Sequence, residues 1–166
     1  MLEGAAELVE LLADRGLTIG TAESLTGGLL AAAITDVPGA SRVFRGGVVS
    51  YATDVKHDLL GVDGDLLARV GAVDPAVAAA MAAGVCRRLG VDLALATTGV
   101  AGPDGQDGQV PGTVWIGLAD GRASWSLDAS TDPVAGRRAV REATVRTALT
   151  AAVRHLRRED PRPGRG

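Results

Sequence analysis

Residues 3–16, EGAAELVELLADRG, place apolar residues at helical spacing, and Gly16 stands where that helix would end. The next stretch, LTIGTAE (17–23), is short and rich in β-branched residues, which predicts a strand. SLTGGLLAAAITDVPGAS opens on Ser and Thr, runs through Ala and Leu, and stops at Pro38-Gly39. This pattern predicts a helix with its N-terminus near Ser24 to Gly28. A second strand is expected in VFRGGVVSYA, then a short helix in TDVKHDLLGV capped by Thr53 or Asp54. DGDLLARVGAV reads as another short helix or turn.

DPAVAAAMAAGVCRRLG carries strong helix punctuation: Asp74 as N-cap, Pro75 at the first helical position, two arginines in the last turn, then Gly90. VDLALATTGVAG is a strand running into a glycine loop, and PDGQDGQVPG is a polar, turn-rich loop. TVWIGLAD and RASWSLDAS flank the turn Asp120-Gly121 and predict a hairpin. A long amphipathic helix begins at Arg137, and residues 159–166 are expected to be a disordered tail. Strands alternate with helices, then a hairpin and a last helix follow. The expectation is one α/β domain over residues 1–158, with a mostly parallel mixed sheet and one antiparallel member.

Composition narrows the chemistry. The net charge is −3 over 166 residues, which argues against a general nucleic-acid or anionic-membrane binder. Aromatic residues are 2 % of the chain, too few for base-stacking platforms. One cysteine, Cys86, and two histidines, His57 and His155, cannot assemble a soft-ligand metal cluster. The N-terminus has no basic segment and no apolar run reaches membrane-spanning length, so a cytoplasmic protein is expected. Of the 17 basic side chains, Lys56 is the only lysine. Arginine stays protonated at any ordinary pH, whereas a desolvated lysine can lose its proton. A position needing that property would explain the exception; coding bias towards arginine would also leave one lysine somewhere.

Sites in such sheets lie beyond the carboxyl ends of the strands. TAESLTGG offers Ser24, Thr26, Gly27 and Gly28 at a helix N-terminus, suited to an anion or a developing oxyanion, or simply to capping and close packing. TTGVAGPDG places Thr98, Gly99, Gly102 and Gly105 where backbone N–H groups can cradle a phosphate, though glycine-rich turns are common. It is neither a Walker loop nor a dinucleotide fingerprint. Tyr51 and Lys56 are five residues apart, about 140° beyond one helical turn, so they cannot share one helical face. Tyr51 at a strand end and Lys56 in the next helix can still converge. Arg137 and Arg141, at i and i+4, form either a guanidinium pair for phosphate or carboxylate or a solvated face. Capping or turn roles fit Glu23 and Asp104.

In this order and at these separations, TAESLTGG, RGGVVSYATDVKHDLLGV, GAV, TTGVAGPDG and VPGTVWIGLA resemble the CinA C-terminal family. The resemblance runs from about residue 5 to residue 155, and it is to the stand-alone nicotinamide mononucleotide amidases. It implies a three-layer α/β/α domain that hydrolyses the carboxamide of nicotinamide mononucleotide to the acid and ammonia. It places the catalytic serine at Ser24, the tyrosine at Tyr51 and the lysine at Lys56. Ser24 would attack, Lys56 would carry the proton, and Tyr51 would relay or orient it. N–H groups of Thr26–Gly28 would hold the oxyanion. Thr98, Gly99 and Gly102 would line the nucleotide site, and Arg137 and Arg141 would bind the phosphate. No metal or cofactor is required, the expected partner is a small nucleotide, and the oligomeric state stays open, with a homo-oligomer allowed. Two departures stand out: Leu25 occupies a position often held by cysteine, and STDPVAG replaces a shorter approach to Arg137. The rival class is a non-catalytic nucleotide-binding or interaction module of the competence/damage-inducible type.

Overall fold

Leu93-Ala94-Leu95-Ala96 alternates large and small side chains along one strand, and the two sizes face different layers. In the computed structural model, which describes residue 2 and residues 4–158, this strand is β3 (Leu93–Gly99). The others are β1 (Ile19–Glu23), β2 (Phe44–Val49), β4 (Val114–Ala119) and β5 (Ser124–Asp128). They form one sheet in the order β2-β1-β3-β4-β5. β1 pairs in parallel with both β2 and β3, while β3–β4 and β4–β5 are antiparallel. Only β4 therefore runs against the rest, the one antiparallel member expected of a mostly parallel sheet.

The helices are α1 (Ala5–Arg15), α2 (Leu29–Thr35), α3 (Thr53–Leu60), α4 (Gly64–Val70), α5 (Pro75–Leu89) and α6 (Arg137–Arg158), with 3₁₀ turns at Ala40–Arg42 and Pro133–Ala135. The large strand residues Ile19, Leu93, Leu95, Ile116 and Leu118 pack on one face against α1, α2 and α6. The small ones, Ala22, Ala94, Ala96 and Ala119, meet α5 with α3 and α4 on the other. The domain is thus a three-layer α/β/α sandwich with two unlike cores. Each fully buried Leu or Ile of the first contributes about 1.5–3 kcal/mol. The second gains from close approach instead. A Cβ at Gly117 would overlap the carbonyl of Ala78 in α5, and one at Gly84 would overlap the carbonyl of Leu60. Gly84 thereby lets the C-terminal end of α3 lie directly on α5.

Helix punctuation follows the sequence in α5, where the Asp74 carboxylate accepts from the Ala76 N–H at 2.7 Å and Gly90 ends the helix with φ 60°. Two starts differ from expectation. The helix expected to open near Ser24 opens at Leu29 behind Gly28, whose φ of 97° suits glycine. The N-cap of α3 is Ala52, with no side-chain cap, rather than Thr53 or Asp54. The expected tail, residues 159–166, lies outside the described residues.

The chain leaves β1 towards β2 on one side and returns as β3 on the other, so the connections diverge at β1. Pairing continues past the strand ends: the Ser24 N–H donates to Thr97 O at 3.0 Å, and the Ser50 N–H to Glu23 O at 2.8 Å. The carboxyl ends of β2, β1 and β3 therefore finish side by side, and the three loops singled out in the sequence share one rim.

Candidate active site

Lys56 lies in the second turn of α3, and α3 packs on α5, so its side chain points inward and is 1 % exposed. Its Nζ donates to Ser24 Oγ at 3.1 Å, to Ser50 O at 2.8 Å and to Tyr51 O at 3.4 Å. Burial pulls the ammonium down from its ordinary 10.5 to about 8, with the Asp107 carboxylate acting in the opposite direction. Lys56 and Tyr51 do converge despite their spacing, but through the Tyr51 carbonyl. The Tyr51 phenol is exposed and accepts from Arg137 Nη2 at 2.7 Å.

Ser24 follows the last residue of β1 and does not cap α2. That task falls to its neighbour Glu23, which is 1 % exposed. The Glu23 carboxylate accepts from the N–H groups of Gly28 and Leu30 at 3.0 Å and of Ala31 at 2.9 Å. Three donors at a helix N-terminus are thus satisfied by one charge, which the local dipole also favours. The Ser24 hydroxyl is released from capping and faces both Lys56 and the cavity. Ser50, whose hydroxyl has no hydrogen-bond partner, is fully buried and does not reach that cavity.

The expected oxyanion donors need correction. The Gly27 N–H donates to Ser24 O at 3.0 Å, and the Gly28 N–H is held by Glu23. Among the described residues, the N–H groups of Leu25 and Thr26 in this loop are left without a partner. The Thr26 hydroxyl is itself engaged with Thr97 Oγ1 at 2.7 Å.

A cavity of about 210 Å³ opens above Ser24 and Leu25. Tyr51, Arg137, Asp104 and the glycine-rich segment from Gly99 to Gly102 form its walls. Gly99 and Gly102 both line this cavity. Thr98 does not: its hydroxyl is buried and donates to Ala72 O at 2.6 Å, joining β3 to the α4–α5 connection. The two arginines part company. Arg137 reaches the cavity, donating through Nη1 to Gly102 O at 2.9 Å and through Nη2 to Tyr51. Arg141 does not line it. Its Nε and Nη2 donate to the carbonyls of Leu25 at 2.8 Å and Thr26 at 2.9 Å. Sequence spacing could place both arginines on one helix face, but not show that one of them reaches back to a loop 116 residues earlier.

Among the described residues, no three His, Cys, Asp or Glu side chains cluster so as to hold a metal ion. No helix among them is long and apolar enough to cross a membrane.

The family model of the CinA C-terminal domain matches residues 2–156. A "CinA-like protein" of Frankia casuarinae is 58 % identical over 128 residues, covering 76 % of this chain and 29 % of that protein. A "putative competence-damage inducible protein" of Limosilactobacillus reuteri is 44 % identical over 155 residues, covering 93 % of this chain and 37 % of its own. The chain thus spans about a third of the length of these curated relatives. Among solved structures, the competence damage-inducible protein A of Klebsiella pneumoniae superposes with a TM-score of 0.90 at 33 % identity, covering 95 % of this chain and 98 % of that one. The competence/damage inducible protein CihA of Agrobacterium tumefaciens gives 0.87 at 37 % identity, over 93 % and 94 % of the two chains.

Proposed function

The chain belongs to the CinA C-terminal domain family, and from that premise we propose that it is an amidohydrolase converting nicotinamide mononucleotide to nicotinic acid mononucleotide and ammonia. The observation that carries this reading is the buried Lys56 Nζ against Ser24 Oγ at the base of an open cavity. A serine hydroxyl is a weak nucleophile until a neighbouring base takes its proton. With a pKa of about 8, about a tenth of the molecules carry a neutral Lys56 amine at pH 7, against about three in ten thousand at 10.5.

Ser24 Oγ attacks the carboxamide carbon as its proton passes to Lys56 Nζ. The oxygen of the tetrahedral intermediate takes the negative charge and is met by the N–H groups of Leu25 and Thr26. Lys56 returns the proton to the departing nitrogen, ammonia leaves, and an ester remains on Ser24. Water then attacks that ester, with Lys56 again accepting a proton, and the carboxylic acid is released. The carbonyls of Ser50 and Tyr51 keep the amine oriented throughout.

Three features support the mononucleotide as substrate. The cavity, at about 210 Å³, is smaller than the roughly 300–1,000 Å³ of common ligand pockets, so it suits the reacting ring while the rest of a nucleotide reaches the rim. Arg137 stands on that rim with guanidinium N–H groups to spare for a phosphate. Asp104 adds negative charge facing the space a cationic pyridinium would fill. An ammonia-release assay over the mononucleotide, its riboside, free nicotinamide and unrelated small amides tests the reading. Turnover should be highest with the mononucleotide. Release from another amide only would move the substrate, and release from none would favour a binding module.

A further inference from the structure

Arg141 extends from α6, four residues beyond Arg137, into the back of the serine loop. Its two partners are the carbonyls of Leu25 and Thr26, at 2.8 and 2.9 Å. In a planar trans peptide the N–H points opposite to the C=O. The Leu25 carbonyl shares its peptide with the Thr26 N–H, so a guanidinium bound to that carbonyl fixes the N–H on the far side. The Ser24 carbonyl shares its peptide with the Leu25 N–H and is held by the Gly27 N–H at 3.0 Å. The two N–H groups without partners in this loop are therefore each fixed from behind, one by Gly27 and one by Arg141. Gly27 has a left-handed φ of 56°, which favours glycine, and a Cβ there would make only ordinary contact with Arg141 Nη2, at 3.4 Å.

We infer that Arg141 is a positioning residue of the oxyanion site: through the Leu25 carbonyl it orients and polarises the Thr26 N–H that meets the charge formed on the substrate oxygen. A cation on a carbonyl draws electron density through the peptide and makes its N–H a stronger donor. The effect grows with negative charge on the partner, so it favours the tetrahedral intermediate over the planar amide. This inference rests on the amidase reading and reassigns an arginine that the family resemblance had put at the phosphate.

The test compares Arg141→Met and Arg141→Lys with the wild type, using two small probes besides the mononucleotide. Pyridine-3-boronic acid accepts an electron pair from Ser24 Oγ, forming an O–B bond as the serine proton moves to Lys56, and presents a tetrahedral, anionic boron with oxygen in the oxyanion position. Pyridine-3-carboxylate is a planar comparator. Arg141→Met should lower kcat about 10²-fold or more, the size found for loss of one oxyanion donor, with KM changed less than about threefold. Boronate affinity should fall with kcat while carboxylate affinity holds. Arg141→Lys, which can still donate to one carbonyl, should recover part of both losses. A helix-to-loop staple without electrostatic action would lower the melting temperature and weaken both probes equally, and an unchanged boronate-to-carboxylate ratio would overturn the inference. If the Met protein does not fold, the Lys protein carries the same ratio. The boronate comparison does not use the mononucleotide, so a wrong substrate shows in the turnover assay alone and a wrong role for Arg141 shows in the ratio alone.

Discussion

Lys56 Nζ lies 3.1 Å from Ser24 Oγ, although 32 residues separate them in the chain. The contact joins the helix after β2 to the loop after β1, and it exists because those two strands are parallel neighbours. It also separates two roles for the single lysine. If only positive charge mattered, Lys56→Arg would be active. A guanidinium does not deprotonate near neutrality, so both Lys56→Arg and Lys56→Met should lose hydrolysis by several orders of magnitude. In the wild type, kcat/KM should rise with pH along one limb and level off above about 8. A Lys56→Arg protein keeping most of its kcat would sink the mechanism.

The same lysine should cost the fold stability. Its folded pKa of about 8 is below its ordinary 10.5, so between these values the unfolded chain binds more protons and stability rises with pH. Below about 8 the cost is fully present, about 3 kcal/mol for a shift of this size. Lys56→Met should therefore raise the denaturation midpoint at pH 7, with the gain fading as the pH approaches 10.5. Denaturant titrations at several pH values check this, and a lower midpoint at pH 7 would refute it.

Ser24→Ala should abolish ammonia release and leave the fold in place. Glu23 caps α2, so the serine hydroxyl contributes one hydrogen bond, about 1 kcal/mol. Circular dichroism with a melting curve separates loss of chemistry from loss of structure. Normal turnover by the folded variant would remove Ser24 from the reaction.

Arg137→Ala should raise KM for the mononucleotide far more than for the riboside, which lacks the phosphate. Equal effects on the two compounds would tie Arg137 to the Tyr51 hydroxyl and the Gly102 carbonyl as a wall brace instead.

Glu23→Gln keeps the shape but turns an amide group towards N–H donors. With three bonds from the start of α2 at stake, it should destabilise the fold by about 2–4 kcal/mol, read from urea denaturation. Wild-type stability in this variant would mean that water can cap the helix equally well.

The layers and the strand directions were legible because local signals agreed: Asp74-Pro75 and Gly90 bracket α5, and Asp120-Gly121 turns the hairpin of β4 and β5. The motif loops pointed to the rim where the cavity opens. What the chain did not disclose was which polar groups serve each other. Glu23 as a capping acid was readable as a residue type, but not that it would free Ser24 by taking three donors. Thr98 lies in β3, just before the glycine-rich loop, with its hydroxyl turned to Ala72, since alternate strand positions face opposite layers. Arg137 and Arg141 have the same side chain on one helix, and a difference in reach sends one to the cavity and the other to the serine loop.

That last helix has a consequence for how the chain matures. The serine loop emerges early in synthesis, and the guanidinium that grips its carbonyls arrives 116 residues later. A nascent chain halted before α6 has Gly27 to hold the Ser24 carbonyl but lacks the guanidinium that holds the carbonyls of Leu25 and Thr26. Under the proposed mechanism, hydrolytic competence would be a late acquisition, switched on when the end of the domain folds back over its beginning.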